Sequence, residues 1–192
     1  MAARRGLGHK PGGMSRPGRE ALEAALLGLH AEVDEAAAPL VALHGPRLRC
    51  ARGCHDCCVD DLSVFEVEAD RIRRHHAELL AEGEPHPPGG CAFLDAAGAC
   101  RIYADRPYVC RTQGLPLRWE DEDDDGGVVE LRDICPLNEP GEPELVALPA
   151  EACWTLGPVE GRLATLQVQL TGRPARVRLR ELFARGSGGT AT

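Results

Sequence analysis

Apolar residues at Leu22, Leu26, Leu29, Val33, Ala37 and Leu40 recur every three or four positions, which predicts an amphipathic helix from Arg19 to Leu43. Pro39 is expected to kink or shorten it, and Gly45-Pro46 to end it. A second stripe, Phe65, Ala69, Ile72, His76 and Leu79, predicts a helix reaching about Leu80, with Ser63 and Glu66 fitting a capping box at its start. Arg71, Arg73, Arg74 and Glu78 then fall on its wet face. Val159, Leu163, Leu166 and Leu170 predict a third helix over 158–170, with Pro158 suited to its first turn. Two hairpins are expected. One joins Cys91–Leu94 to Ala99–Tyr103 through Asp95–Gly98, and the other pairs Leu115–Trp119 with Val128–Leu131. Asp105 reads as the cap, and Pro107 as the first turn, of a short helical piece carrying Cys110 and Arg111. Val177 and Leu179 between arginines predict a short strand.

The remaining stretches carry no period. The chain therefore divides into a disordered basic tail over 1–18, an N-terminal helix over 19–49, a cysteine-rich unit over 50–138, a helix and short-strand extension over 139–185, and a flexible tail over 186–192. Of 192 residues, 43% are apolar but only 4% aromatic, so Leu, Ala and Val must fill a small core that gains from a metal staple. The expected fold class is α+β: a small metal-stapled domain with short hairpins packed against a few helices. A net charge of −8 argues against nucleic acid as a partner, because tracking phosphates requires a basic surface. Nothing approaches the apolar length of a membrane span, and no apolar stretch follows Arg4, Arg5 and Lys10 as in a secretory leader. A cytoplasmic location is the expectation, and structural disulfides are rare there. His30 and His44 read as helix-end or surface residues, and His75 and His76 as surface or packing residues. The acidic run Glu120–Asp125 reads as a solvated loop, since it lacks the alternating ligands of a calcium loop.

The chemistry lies in the nine cysteines, an odd number that no all-disulfide scheme satisfies. Cys50, Cys54, Cys57 and Cys58 fall close together, followed by Cys91, Cys100, Cys110, Cys135 and Cys153. Thiolates are soft ligands that select zinc, copper(I) or iron–sulfur centres. The Cys54–Cys57 spacing brings two sulfurs to one tetrahedral ion from a tight turn, whereas the consecutive Cys57 and Cys58 diverge and are more easily given to two metals. Gly53 helps Cys50 bend back. His55 fits a residue behind the ligands better than a ligand, and Asp60 and Asp61 fit capping or arginine-pairing roles. The eight thiols other than Cys153 are enough for two zinc sites, or for one iron–sulfur cluster with spares.

Four blocks stand in a recognisable order: Cys50-x3-Cys54-x2-Cys57-Cys58, Cys91–Asp95, Gly98–Tyr103 and Arg106–Arg111. Together they resemble the bacterial YkgJ-type cysteine-cluster family of zinc- or iron-chelating proteins. The likeness runs from Cys50 to about Cys135, under half the chain. It departs from the family pattern in the three-residue first gap and in His55, where glycine is usual. It implies metal-ligating roles for Cys50, Cys54, Cys57, Cys58, Cys91, Cys100, Cys110 and Cys135, with an iron–sulfur cluster or zinc as cofactor. A flagellin lysine methylase family carries a similar cluster as an iron–sulfur module, which favours iron, but no S-adenosylmethionine site is recognisable in this chain.

Arg101, Arg106 and Arg111 surround the later cysteines and are suited to offset thiolate charge at a cofactor, against a plainer role in which Arg106 pairs with Asp105 or Asp133. Tyr103 and Tyr108 read as packing lids, and Cys153 beside Trp154 as a free core thiol. The chain shows no phosphate loop, zincin motif or serine nucleophile elbow. The leading expectation is a metal-binding cysteine-cluster protein with a closed, structural site. Two alternatives stand beside it. One is a redox or protein-modifying enzyme, or its accessory, using an iron–sulfur centre; the other is a zinc-stapled module for a protein partner, with the acidic loop and arginine-rich end as docking surfaces.

Overall fold

In the computed structural model, which describes residues 18–183, the chain begins with helix α1, Arg19–His44. The tails expected over 1–18 and 186–192 lie outside the described residues, apart from Gly18 at the start of α1. The predicted stripe is the buried one: Leu22, Leu26, Leu29, Val33 and Ala37 all face inward. Pro39 sits within the helix on its exposed face, where water can satisfy the carbonyl that loses its partner. His30 and His44 are buried rather than at the surface, 3% and 5% exposed. The His30 Nε2 lies 3.2 Å from the Glu68 carboxylate, and the His44 Nε2 donates to the Ala152 carbonyl at 2.7 Å.

The single helix expected to begin with a Ser63–Glu66 box is instead three pieces. Ser63–Phe65 form strand β1, followed by α2, Glu66–His75, and α3, Ala77–Glu82. Ser63 is drawn into a strand because it pairs with Arg178, so Glu68 caps α2 instead by accepting from the Phe65 N–H at 3.4 Å. The break falls at His76, whose side chain is held 2.8 Å from Asp105. Arg71 is not on a wet face either: it bonds Glu23 of α1 and Asp105, both at 2.5 Å. Asp105 is thus occupied and caps nothing, and Pro107 precedes helix α4, Tyr108–Arg111.

Strands β2, Leu117–Glu122, and β3, Val128–Asp133, form the second predicted hairpin, so part of the acidic run is strand rather than loop. Asp123 closes its turn by accepting from the Gly127 N–H at 2.6 Å. Strand β4, Trp154–Thr155, lies parallel to β2, giving sheet order β3-β2-β4. Helix α5, Pro158–Thr171, and strand β5, Arg176–Arg178, complete the chain, with β5 antiparallel to β1. The hairpin expected over 91–103 is reduced to one bridge, Leu94 to Cys100, inside a loop that Asp95 closes by accepting two N–H groups at 2.8 Å.

The result is a small mixed α+β protein with a few helices and two small sheets. Two apolar clusters hold it. One packs Leu26, Leu29 and Val33 of α1 against Leu163 of α5, Tyr108 and Trp154, with the Trp154 indole donating to the Tyr108 hydroxyl at 2.9 Å. The other sets Ala69 and Ile72 of α2 against Cys91–Leu94, Leu179 and Phe183. The Phe93 and Phe183 rings lie 5.0 Å apart at its centre. Among the described residues no helix is long and apolar enough to cross a membrane.

Candidate metal centre

The turn that carries the first thiols is built from its own backbone. Gly53, at φ +88°, takes a conformation that L side chains rarely adopt, and the Cys54 N–H then reaches the Ala51 carbonyl at 3.0 Å. The Cys58 N–H donates to the His55 carbonyl at 2.8 Å, turning the chain a second time. His55 faces solvent, its Nδ1 2.9 Å from the Gly53 carbonyl, so its ring shapes this turn. Asp60 and Asp61 pair with Arg180 and Arg178, as expected of arginine-pairing carboxylates.

From this turn the cysteines part into two neighbourhoods. The Cys58 carbonyl accepts from the Cys91 N–H at 2.8 Å, which joins the first block directly to the second. Cys91 is a member of the inner apolar cluster, and Cys58, Cys100 and Val109 pack against it. Cys110 follows Val109 on α4, where burial pushes its thiol up, with further upward contributions from Cys91 and Cys100. Burial likewise raises Cys91 and Cys100.

The second neighbourhood is tied by Asn138, which is fully buried. Its side-chain oxygen accepts from the Arg49 N–H at 2.7 Å, and its Nδ2 donates to the Gly114 carbonyl at 2.9 Å and to the Cys50 sulfur at 3.4 Å. Its own N–H donates to the Cys135 carbonyl at 2.7 Å. A side chain at Gly114 would place its Cβ 2.6 Å from the Cys50 sulfur, so glycine there admits the thiol. Burial raises Cys135, and the charges of Cys57, Cys50 and Cys54 raise it further. At the border, a hydrogen bond from Cys58 pushes Cys57 down to about 7, while that bond and burial push Cys58 up. Cys153 stands apart, buried with Leu148 and Ala152.

Arg101 and Arg106 act electrostatically on Cys100, and Arg180 and Arg101 on Cys91. Arg101 donates to the Glu84 and Ala92 carbonyls, while Arg106 stacks over Tyr103 and approaches Asp34 at 3.8 Å rather than Asp105 or Asp133. Arg111 is directed to α1, pairing with Asp34 at 2.6 Å. Tyr103 is exposed, whereas Tyr108 is core. The Nε of Arg101, Arg106 and Arg111 are all buried without a hydrogen-bond partner among the described residues. Arg180 and Asn138 were not foreseen from the sequence as parts of this site. Arg180 binds Asp60 and the carbonyls of His86 and Gly90, which fixes the loop leading into Cys91. Its only sequence signal was membership in a basic segment; that of Asn138 was its place shortly after Cys135-Pro136.

Among the described residues, no three or more His, Cys, Asp or Glu side chains are closed into a coordination shell. The donor set nevertheless suits a thiophilic cation. All nine cysteines are free, eight lie in the two neighbourhoods, and Arg101 and Arg106, each with a buried Nε–H that has no partner among the described residues, act on Cys100.

The scaffold is a small α+β fold that carries its nine free cysteines mostly on short turns and loops, with buried arginines near several of them. In accord with this, residues 49–136 match the CxxCxxCC family model, whose description reads "Putative zinc- or iron-chelating domain". The match covers under half of the chain and includes the eight gathered cysteines but not Cys153. No curated protein and no solved structure matches the chain.

Proposed function

We infer that the chain binds zinc or an iron–sulfur centre through Cys50, Cys54, Cys57, Cys58, Cys91, Cys100, Cys110 and Cys135, and that the bound metal is predominantly structural. The observation that supports this reading is that bonds tie the separate cysteine-bearing stretches to one another, Cys91 to Cys58 through the backbone and Cys50 to the Cys135 stretch through Asn138, while Cys153 packs elsewhere. Metal would replace the protons that burial holds on several of these sulfurs, and thereby add folding energy where regular structure is sparse. Four thiolates on a divalent ion leave two negative charges, which Arg101 and Arg106 are placed to offset through their unpartnered Nε–H groups. Arg111 serves less directly, by fastening α4 to α1 through Asp34.

The arginine-rich segment that the partner-binding alternative invokes is partly committed to contacts within the chain, although Arg173, Arg176 and Arg178 stay exposed. Arg176 stacks on Phe65, Arg178 pairs with Asp61, and Arg180 is spent on Asp60 and nearby carbonyls. The deciding experiment is elemental analysis and visible spectroscopy on full-length protein purified anaerobically and reduced. Zinc with no colour, or iron with sulfide and broad visible absorption, supports the reading and names the metal. Protein that stays folded and free of both metals under those conditions refutes it.

A further inference from the structure

Strand β2 is paired along its whole length on one edge and only in part on the other. β3 pairs with all of it, from Leu117 to Glu122, whereas β4 meets only Leu117 and Arg118. The short side ends where the Leu156 N–H donates to the Arg118 carbonyl at 2.9 Å. Gly157, at φ +109°, then turns the chain away from the sheet and into α5. The Pro116 and Arg118 carbonyls both accept from the β4 side, so strand alternation directs the backbone groups of Glu120 to that side as well. Among the described residues no strand pairs with β2 there.

A groove of about 580 Å³ opens at this point. Trp119, Leu156 and Pro158 supply its apolar lining, and Glu120 and Glu160 its carboxylates. The one cation among the lining residues, Arg118, is spent on Glu130 and on the Thr155 hydroxyl. Glu160 accepts from the Gly157 N–H at 2.6 Å, which sets its charge against the positive end of α5. Arg132, the other arginine of the hairpin, also turns to Glu130. The adjoining run Glu120–Asp125 is thus left uncompensated and exposed beside the groove.

We propose that the open stretch of β2 is a docking site for an extended basic segment of a partner protein, which adds as a strand beside Glu120 and fills the groove. An unpaired strand edge supplies backbone hydrogen bonds to any extended chain, and the side chains around it decide which chain is accepted. Charge selects the occupant here. A second copy of the hairpin would bring the Glu120–Asp125 run against itself, whereas lysines or arginines neutralise it. The side chains of an added strand alternate between the two faces of the sheet. One set lies beside Glu120 and Glu122 and takes basic residues; the other lies beside Trp119 and takes apolar ones. No cysteine lines the groove, so docking stands apart from the metal-binding reading.

The test titrates the full chain, as purified, into a fluorescein-labelled peptide of alternating arginine and valine, read by fluorescence anisotropy at low salt. Saturable binding is expected, weakened about tenfold by 0.5 M salt. A peptide of alternating glutamate and valine should not bind, and one with its arginines and valines in separate blocks should bind about fivefold more weakly. Glu120→Lys with Glu122→Lys, both at exposed positions, should weaken binding by about tenfold or more. In amide spectra of wild-type protein, the arginine–valine peptide should shift Trp119–Glu122 and Leu156–Glu160 together. Absence of saturable binding overturns the proposal without any variant having to fold. Equal binding of the block peptide overturns it too, since charge alone would then suffice, and so do shifts confined to β3 or to Asp123–Asp125.

Discussion

Around α1 and α5 the backbone bonds itself within long helices, and the side chains of Leu26, Leu29, Val33 and Leu163 interlock with Tyr108 and Trp154. Around the cysteines the backbone has much less to work with. Residues 50–62 and 86–103 are held by turn bonds, one bridge, the local Asp95 loop, Asn138 and Arg180 reaching in from elsewhere, and the burial of Cys91–Leu94 against Ile72 and Phe183. Both regions are parts of one small fold, yet their order has different sources. The helical side derives its shape from apolar burial, worth about 2 kcal/mol for each fully buried Leu. The thiol side gathers polarisable, ionisable groups that gain little from being near one another until a cation joins them.

Metal removal separates the two regions most sharply. Chelation under reducing conditions should abolish amide protection over 50–62 and 86–103 while α1 and α5 remain protected, as read by hydrogen exchange. Protection of the Cys91–Tyr103 segment that survives chelation would break the comparison, as would simultaneous loss of all protection. The converse perturbation is Leu29→Ala, which removes a side chain only 2% exposed and should cost about 3 kcal/mol in reversible denaturation. Its metal-to-protein ratio, measured on the folded fraction, should match wild type.

Glu68 joins the regions. It is 3% exposed, lies 3.2 Å from His30 of α1, and accepts from the Tyr108 N–H at 2.7 Å at the start of the helix that carries Cys110. Glu68→Gln should destabilise by about 2 kcal/mol, because a buried charge-assisted acceptor is replaced by an amide with two donors to satisfy. Unlike Leu29→Ala, it should also loosen metal retention; an unchanged chelator release rate would count against the coupling.

The smallest effect belongs to Glu23, whose carboxyl is held down to about 2 by hydrogen bonds from Arg74 and His75. A depressed carboxyl contributes stability above its ordinary value of 4.5, and that contribution is lost as pH falls from there toward about 2. Glu23→Gln should therefore cost about 1 kcal/mol at neutral pH, a figure reduced for solvent screening of the pair. The gap from wild type should close across that acid window in denaturation curves; a gap that is flat with pH would show the pairing to be idle.

What could be read from the sequence follows the same division. Helix α1 and helix α5 were legible nearly to the residue, because their stripes are local and regular. The β2–β3 hairpin and the β5 strand were legible for the same reason. The start of α2 was misread because Ser63 answers to Arg178, far along the chain, rather than to its neighbours. His30 and His44 were misplaced because their partners, Glu68 and Ala152, are equally remote. At the site, cysteine spacing and resemblance supplied the candidate ligands. They gave no sign of Asn138 or Arg180, since neither residue type is a ligand and each acts only through groups that folding brings to it.

The most direct measurement is a thiol count on metal-loaded protein before and after chelation, paired with elemental analysis of the same sample. The account predicts bound zinc or iron and the unmasking of eight thiols by the chelator, with no change in that number for Cys153→Ser. Protein that carries neither metal, and whose reactive thiols do not increase on chelation, would contradict it.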